Sequence, residues 1–180
     1  AYVPTIRAIL SLFRDPAFLR DSQPAEDLLQ LALLGVTRNK PSVLALRIAT
    51  LLYLQDRDYE TALQYLQRTD ARLRRLCEST GCLCRCVSDD LSAQYAVVFA
   101  YFQAPTHHKA ATKHAKHALL SSTAHQADIL LALAYVHGCA GEWEKARDEY
   151  AQAKHCPLGP TRGAGRDISA LWLSADVHAA

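Results

Sequence analysis

What the 180-residue sequence lacks narrows it first. Methionine is absent, and the start at Ala1 shows no charged segment leading into an apolar stretch and a cleavage site, so no secretory signal is visible. The abrupt Ala-Tyr-Val-Pro beginning and His-Ala-Ala end are those expected of a segment cut from a longer chain. The longest uncharged apolar stretch, residues 129–141, is too short to span a bilayer and contains His137, so no membrane span is expected and a soluble protein is. Neither charge sign is in excess. Lys and Arg number 20 against 18 Asp and Glu, and a net +2 leaves no footprint of a nucleic-acid or acidic-membrane binder. Val, Ile and Thr are sparse, and no run alternates with period two for long enough to make a strand. Leu and Ala dominate a composition that is 50% hydrophobic, and both lose little side-chain freedom in a helix. An all-α chain is expected.

Turn signals stand at Asp15-Pro16, Ser22-Gln23-Pro24, Asn39-Lys40-Pro41, Asp56-Arg57-Asp58, Ala104-Pro105-Thr106, residues 138–141 and residues 157–165. Between them, apolar residues recur at three- and four-residue steps. From Pro41, the residues Val43, Leu44, Leu46, Ile48, Leu51, Leu52 and Leu54 nearly surround a helix, as expected where neighbours pack on both sides. From Tyr59, Ala62, Leu63, Leu66, Leu73 and Leu76 mark a narrower face. An internal repeat emerges when Ala62, Ala111 and Ala146 are aligned. Tyr59, His108 and Trp143 then stand three residues before them, and Leu66, Ala115 and Tyr150 four after. Thr69, Ala118 and Ala153 follow, while Tyr53, Phe102 and His137 fall nine residues before the aligned alanines. Ala111 and Ala146 are 35 residues apart and Ala62 and Ala111 are 49 apart, so about fifteen extra residues fall near residues 74–90, either as an extended second helix with a long loop or as a small inserted element.

The last unit runs Leu130, Leu133, Ala134, His137, Gly141, Trp143, Ala146, Tyr150, Ala153, Pro157. It resembles the tetratricopeptide repeat, a helix–turn–helix unit of about 34 residues. Small residues at Ala134 and Ala146 let paired helices approach, Trp143 and Tyr150 fill the gap to the next pair, and Gly141 supplies the turn. The match weakens over residues 46–69 and further over residues 95–118. Thr50 and Phe99 stand where the family prefers Gly or Ala, and only one unit ends in Pro. The resemblance implies a right-handed α-solenoid of antiparallel helix pairs over residues 41–160, with a cysteine-containing insertion near 74–90. Residues 1–40 would form a degenerate pair or cap, and residues 161–180 a connector and terminal helix that starts a further repeat.

Three chemical readings compete with a purely structural one. Cys77, Cys82, Cys84 and Cys86 crowd into one loop, with Cys139 and Cys156 far away; this is not the spacing of a disulfide-stapled fold, and it suits reduced thiols in an intracellular, cytoplasmic compartment. The Cys-x-Cys-x-Cys rhythm departs from the paired spacing of structural zinc sites, so a metal- or redox-responsive domain is an alternative and not the first reading. His114 and His117 share a helical face with His107 further back, but Lys109, Lys113 and Lys116 among them would repel a cation and mark a solvated basic face. An RNA-associated scaffold using residues 109–117 is the third reading, weakened by the absence of an aromatic stacking platform beside it. No G-x-S-x-G, Walker loop or H-E-x-x-H occurs. Arg162-Gly-Ala-Gly-Arg166 follows a helix rather than a strand and reads as a connector into Asp167. No catalytic residue, metal ligand or cofactor is assigned.

In the family that the repeat resembles, the first helix of each pair lines a concave groove in which protein partners lie as helices or extended segments. Carried over, this puts Arg47, Leu51 and Gln55 on the inner face of one unit, Ala93, Ala96, Val97 and Ala100 on the next, then Asp128, Leu131 and Tyr135. Members that grip an acidic tail present Lys and Asn at such places. Here the lining is small or apolar, so the resemblance implies a groove for an apolar helix or extended segment in a scaffold or adaptor subunit of a larger assembly. The expected partner-binding strip is Leu51, Val97, Leu131 and Tyr135 with Arg47 and Asp128 at its ends.

Overall fold

The structure, a computed structural model, describes Gln30 and residues 43–80, 85–120 and 125–157, with the side chains of 44, 55, 80 and 85–90 excepted. The expected N-terminal cap, the C-terminal connector, the turns at Pro16, Pro24 and Pro41, and Cys82 and Cys84 lie outside the described residues. The described residues form six helices and no strand: α1 (Val43–Gln55), α2 (Tyr59–Thr80), α3 (Arg85–Tyr101), α4 (His108–Leu119), α5 (Gln126–Cys139) and α6 (Trp143–Lys154). None of them is long and apolar enough to cross a membrane. The chain divides into two compact units, Ala1–Cys84 and Arg85–Ala180.

In the first unit α1 packs on α2. Residues 45–52 of α1 are buried without interruption, which accounts for its nearly all-round apolar sequence. On α2 the buried residues are Ala62, Leu66 and Thr69, one stripe at steps of four and three. Wholly buried Thr50 and Thr69 each turn a hydroxyl back onto the carbonyl four residues earlier, Leu46 O at 2.9 Å and Tyr65 O at 2.8 Å, so neither is left unsatisfied. Tyr53 of α1 stacks on Tyr65 of α2, centroids 5.4 Å apart, with Arg68 over the second ring. Leu46 and Leu66, fully buried across this pair, are each worth about 1.5–3 kcal/mol of transfer free energy. The residues expected to form an insertion near 74–90 are largely helical, α2 running on to Thr80 and α3 starting at Arg85. Cys77 therefore sits on a helix and not in a loop.

In the second unit α3 packs on α4 and α5 on α6, while α5 also lies against both α3 and α4. That central position explains why α5 is apolar almost all round: Ile129, Leu130, Leu131, Leu133 and Val136 are all buried. One core cluster joins Ala93 and Ala96 to Ala115, Ala118, Ile129 and Leu133. Another joins Ala100, Ala111, Ala132 and Val136.

All three first helices end alike. Two residues after the last helical one, Arg57 (φ 62°), Gln103 (φ 49°) and Gly141 (φ 76°) adopt the left-handed conformation. At α1 and α5 the closure is the same Schellman pattern, with Asp58 N donating to Tyr53 O (3.0 Å) and Glu142 N to His137 O (2.9 Å). Asp58 then caps α2, its Oδ1 accepting from Thr61 N at 3.0 Å. The α3–α4 turn differs in length: residues 102–107 separate those helices, against 56–58 and 140–142 in the other pairs. These three added residues correct the sequence alignment. Counted back from the end of each first helix, Phe99 and not Phe102 matches Tyr53 and His137, and Ala96 and not Phe99 matches Thr50 and Ala134. Ala96, Thr50 and Ala134 are all buried, so the bulky Phe99 at a small-residue position was an artefact of the loop.

Candidate functional site

The residues expected to line a groove fall into two sets. Arg47 (1% exposed) and Leu51 (7%) are buried in the first unit, and Asp128 (8%) and Leu131 (4%) are buried in the second. Within its own unit each of these residues is therefore part of the core and not of an exposed face; in the second unit α5, which carries Asp128 and Leu131, lies against α3, α4 and α6. Ala93, Ala96 and Ala100 are likewise core residues. Gln55 ends α1, and its side chain lies outside the described ones. Val97 and Tyr135 are only half-buried. Both stand four residues before the end of their helices.

Those two residues share a face with one that the sequence reading missed. The Tyr101 ring, also half-buried, lies 4.7 Å from that of Tyr135, tilted by 49°, and joins α3 to α5. Val97 and Tyr101 pack on the cluster of Ala100, Ala111, Ala132 and Val136, which fixes the base of the face. His108, the first residue of α4, presents its edge to Tyr135 at 6.2 Å. Its Nε2 lies 3.1 Å from Ala100 O, and since a carbonyl can only accept, Nε2 carries the proton. Burial pushes the His108 pKa below its ordinary value, with this hydrogen bond acting the other way. Cys139 closes the face one turn beyond Tyr135; desolvation of its sulfur pushes the thiol pKa up, against a hydrogen bond from Tyr135. A raised pKa keeps it a thiol near neutral pH, the wrong direction for a nucleophile.

Two other groupings bring titratable side chains together. At the α5–α6 turn, His137 Nδ1 is 2.8 Å from Glu149 Oε2 and its Nε2 is 4.0 Å from Glu142, which also pairs with Lys145 at 2.9 Å. Burial pushes the Glu149 pKa up, offset in part by His137. The pair ties the two helices together. At the opposite end of the same helices an open cleft of about 470 Å³ is lined by Gln126, Leu130, Asp148, Gln152, His155 and Cys156, among others. The Cys156 Sγ–H donates to Gln152 O at 3.5 Å, and burial followed by the charge of Asp128 raises its thiol pKa. Among the described residues no three His, Cys, Asp or Glu side chains are grouped to hold a metal ion.

The signal for Tyr101 was in the sequence but misplaced. It ends α3 as Cys139 ends α5, a match visible only once the longer α3–α4 turn is allowed for. In comparisons with known proteins, no family model, no curated protein and no solved structure matches the chain.

Proposed function

We propose that this chain is a non-catalytic protein-interaction scaffold of tetratricopeptide-like helix pairs, serving as an adaptor subunit whose partner docks an apolar helix or extended segment on the α3–α5 face. The observation that carries the reading is the partly exposed Tyr101–Tyr135 ring pair, flanked by Val97, spanning the first helices of two successive pairs. Rigid rings of this kind bring large contact area at small entropic cost. The repeat itself is supported by the left-handed cap closing each first helix, and by α5 lying against both helices of the preceding pair, as stacked units require. Leu131 belongs to the core cluster on which Tyr135 packs, so it supports this surface as a packing residue and not as a contact. The high thiol pKa values of Cys139 and Cys156, and a His137–Glu149 pair spent on bridging helices, favour binding over catalysis.

The test is site-resolved crosslinking in native extract. A photoreactive side chain at Val97 should trap one discrete protein, and the adduct should disappear on competition with excess unlabelled chain. The same group at exposed Arg147 of α6 should not give that adduct. Equal adducts from both positions would refute a docking site on the α3–α5 face.

A further inference from the structure

Helix α4 carries a surface that the α3–α5 face does not use. Its buried residues are Ala111, Ala115 and Ala118. Lys109, Lys113, Lys116 and Leu120 advance by four, three and four residues, and at about 100° per residue they form one stripe opposite those alanines. All four are exposed, Leu120 by 88%. No acidic residue occurs on α4, and none of the three lysines is ion-paired among the described residues. Exposed charges on α6 are by contrast of both signs, with Lys145 already matched to Glu142. Lys109 also stands in the first turn of α4, at the positive end of the helix dipole, where a carboxylate would stabilise the helix and an ammonium does the reverse. Helix stability therefore does not account for that charge.

We propose that the Lys109–Lys113–Lys116–Leu120 stripe docks an acidic protein segment that carries an apolar residue at one end. Carboxylates on a partner helix at the same four-three step meet the three ammoniums, and the apolar residue covers Leu120. The stripe is about 16 Å long at 1.5 Å per residue, roughly three helical turns of such a partner. Leu120 favours a peptide over a nucleic acid, because a phosphodiester strand gains nothing from an isobutyl group at the end of its track. The neighbouring rings agree: Tyr95 and Phe99 lie against His114 at 5.0 and 5.8 Å, and Phe102 stacks on His107 at 5.7 Å, so their faces are turned to protein imidazoles and not offered to bases. Exposed ion pairs are individually weak, so this contact steers and orients a partner more than it holds one.

The probe is a labelled Glu-rich peptide with one Leu near its end, titrated by fluorescence anisotropy against the intact chain. Binding should weaken about tenfold between roughly 50 and 200 mM salt. Lys113→Gln should weaken it, the triple Lys→Gln variant at 109, 113 and 116 should abolish it, and Arg147→Gln, an exposed charge on α6, should leave it unchanged. Leu120→Ser should cost about fivefold, and no more than a slight further loss when the Leu of the peptide is also replaced by Ser. Circular dichroism establishes that each variant is folded. Any of three results overturns the proposal: no peptide binding at low salt, equal binding by the folded triple variant, or tighter binding of a single-stranded oligonucleotide or of phosphatidylserine vesicles than of the peptide.

Discussion

The α3–α4 and α5–α6 pairs end their first helices with the same left-handed cap, yet they fill their interiors in different ways. Between α3 and α4 the buried faces are mostly alanine: Ala93, Ala96 and Ala100 on one helix, Ala111, Ala115 and Ala118 on the other. In the second pair, α5 brings Ile129, Leu130, Leu131, Leu133 and Val136, while α6 contributes little beyond Ala146 and Ala153. The difference follows from position, because α5 must fill space against three neighbours and α4 lies against two. It shows where substitution costs most. Alanine at a helix contact is a distance setting, whereas a leucine on α5 is volume.

The largest effects should come from that setting. Ala146→Leu and Ala96→Leu should each overpack and lower stability by about 1–3 kcal/mol in chemical denaturation. If Ala96→Leu is neutral while Ala146→Leu is costly, the corrected register of α3 is wrong. Next in size is Gln94, 3% exposed on α3, whose amide nitrogen and oxygen have no hydrogen-bond partner among the described residues. The equivalent position on α5 is buried Ala132. Gln94→Leu should raise stability by about 1–2 kcal/mol, since it removes two buried unsatisfied groups at similar volume; a lowered melting temperature would show the amide to be bonded in solution.

A smaller effect separates the caps. Gly141 and Arg57 occupy the same left-handed place, and a Cβ at Gly141 would meet nothing within 4 Å, so only backbone preference is at stake. Gly141→Ala should cost about 1 kcal/mol and Arg57→Gly should gain about half of that. Melting shifts of the same sign would break the equivalence of the caps. His108 gives a subtler contrast. Its pKa is depressed in the folded state, so the stability it contributes is present above the ordinary histidine range and is lost as pH falls through the lowered value. The fall in melting temperature from about pH 7.5 to about 5.5 should therefore be smaller in His108→Gln than in the parent. Smallest of all, Lys113→Leu on the exposed face of α4 should change stability by no more than about 0.5 kcal/mol.

How much of this was legible in the sequence varies by element. The helices were, since Leu- and Ala-rich stretches with three- and four-residue steps have one solution. Tyr59, His108 and Trp143, aligned from the sequence, are the first residues of α2, α4 and α6. The first helices slipped in α3 because an αL cap at Gln103, a residue with no glycine signature, hid a longer turn. Burial was the larger miss. Periodicity identifies which residues share a face but not how many neighbours cover it, and Leu131 and Asp128 lie on a helix with three. Tyr101 was missed for the first reason, Leu131 misjudged for the second.

The central claim is that the partly exposed Tyr101–Tyr135 face binds a protein partner. Its most direct test is the affinity of the partner trapped through Val97 for the parent and for Tyr135→Ala, with melting curves taken on both. A folded Tyr135→Ala chain should bind at least about thirtyfold more weakly, a loss of about 2 kcal/mol. Affinity equal to that of the parent would contradict the account.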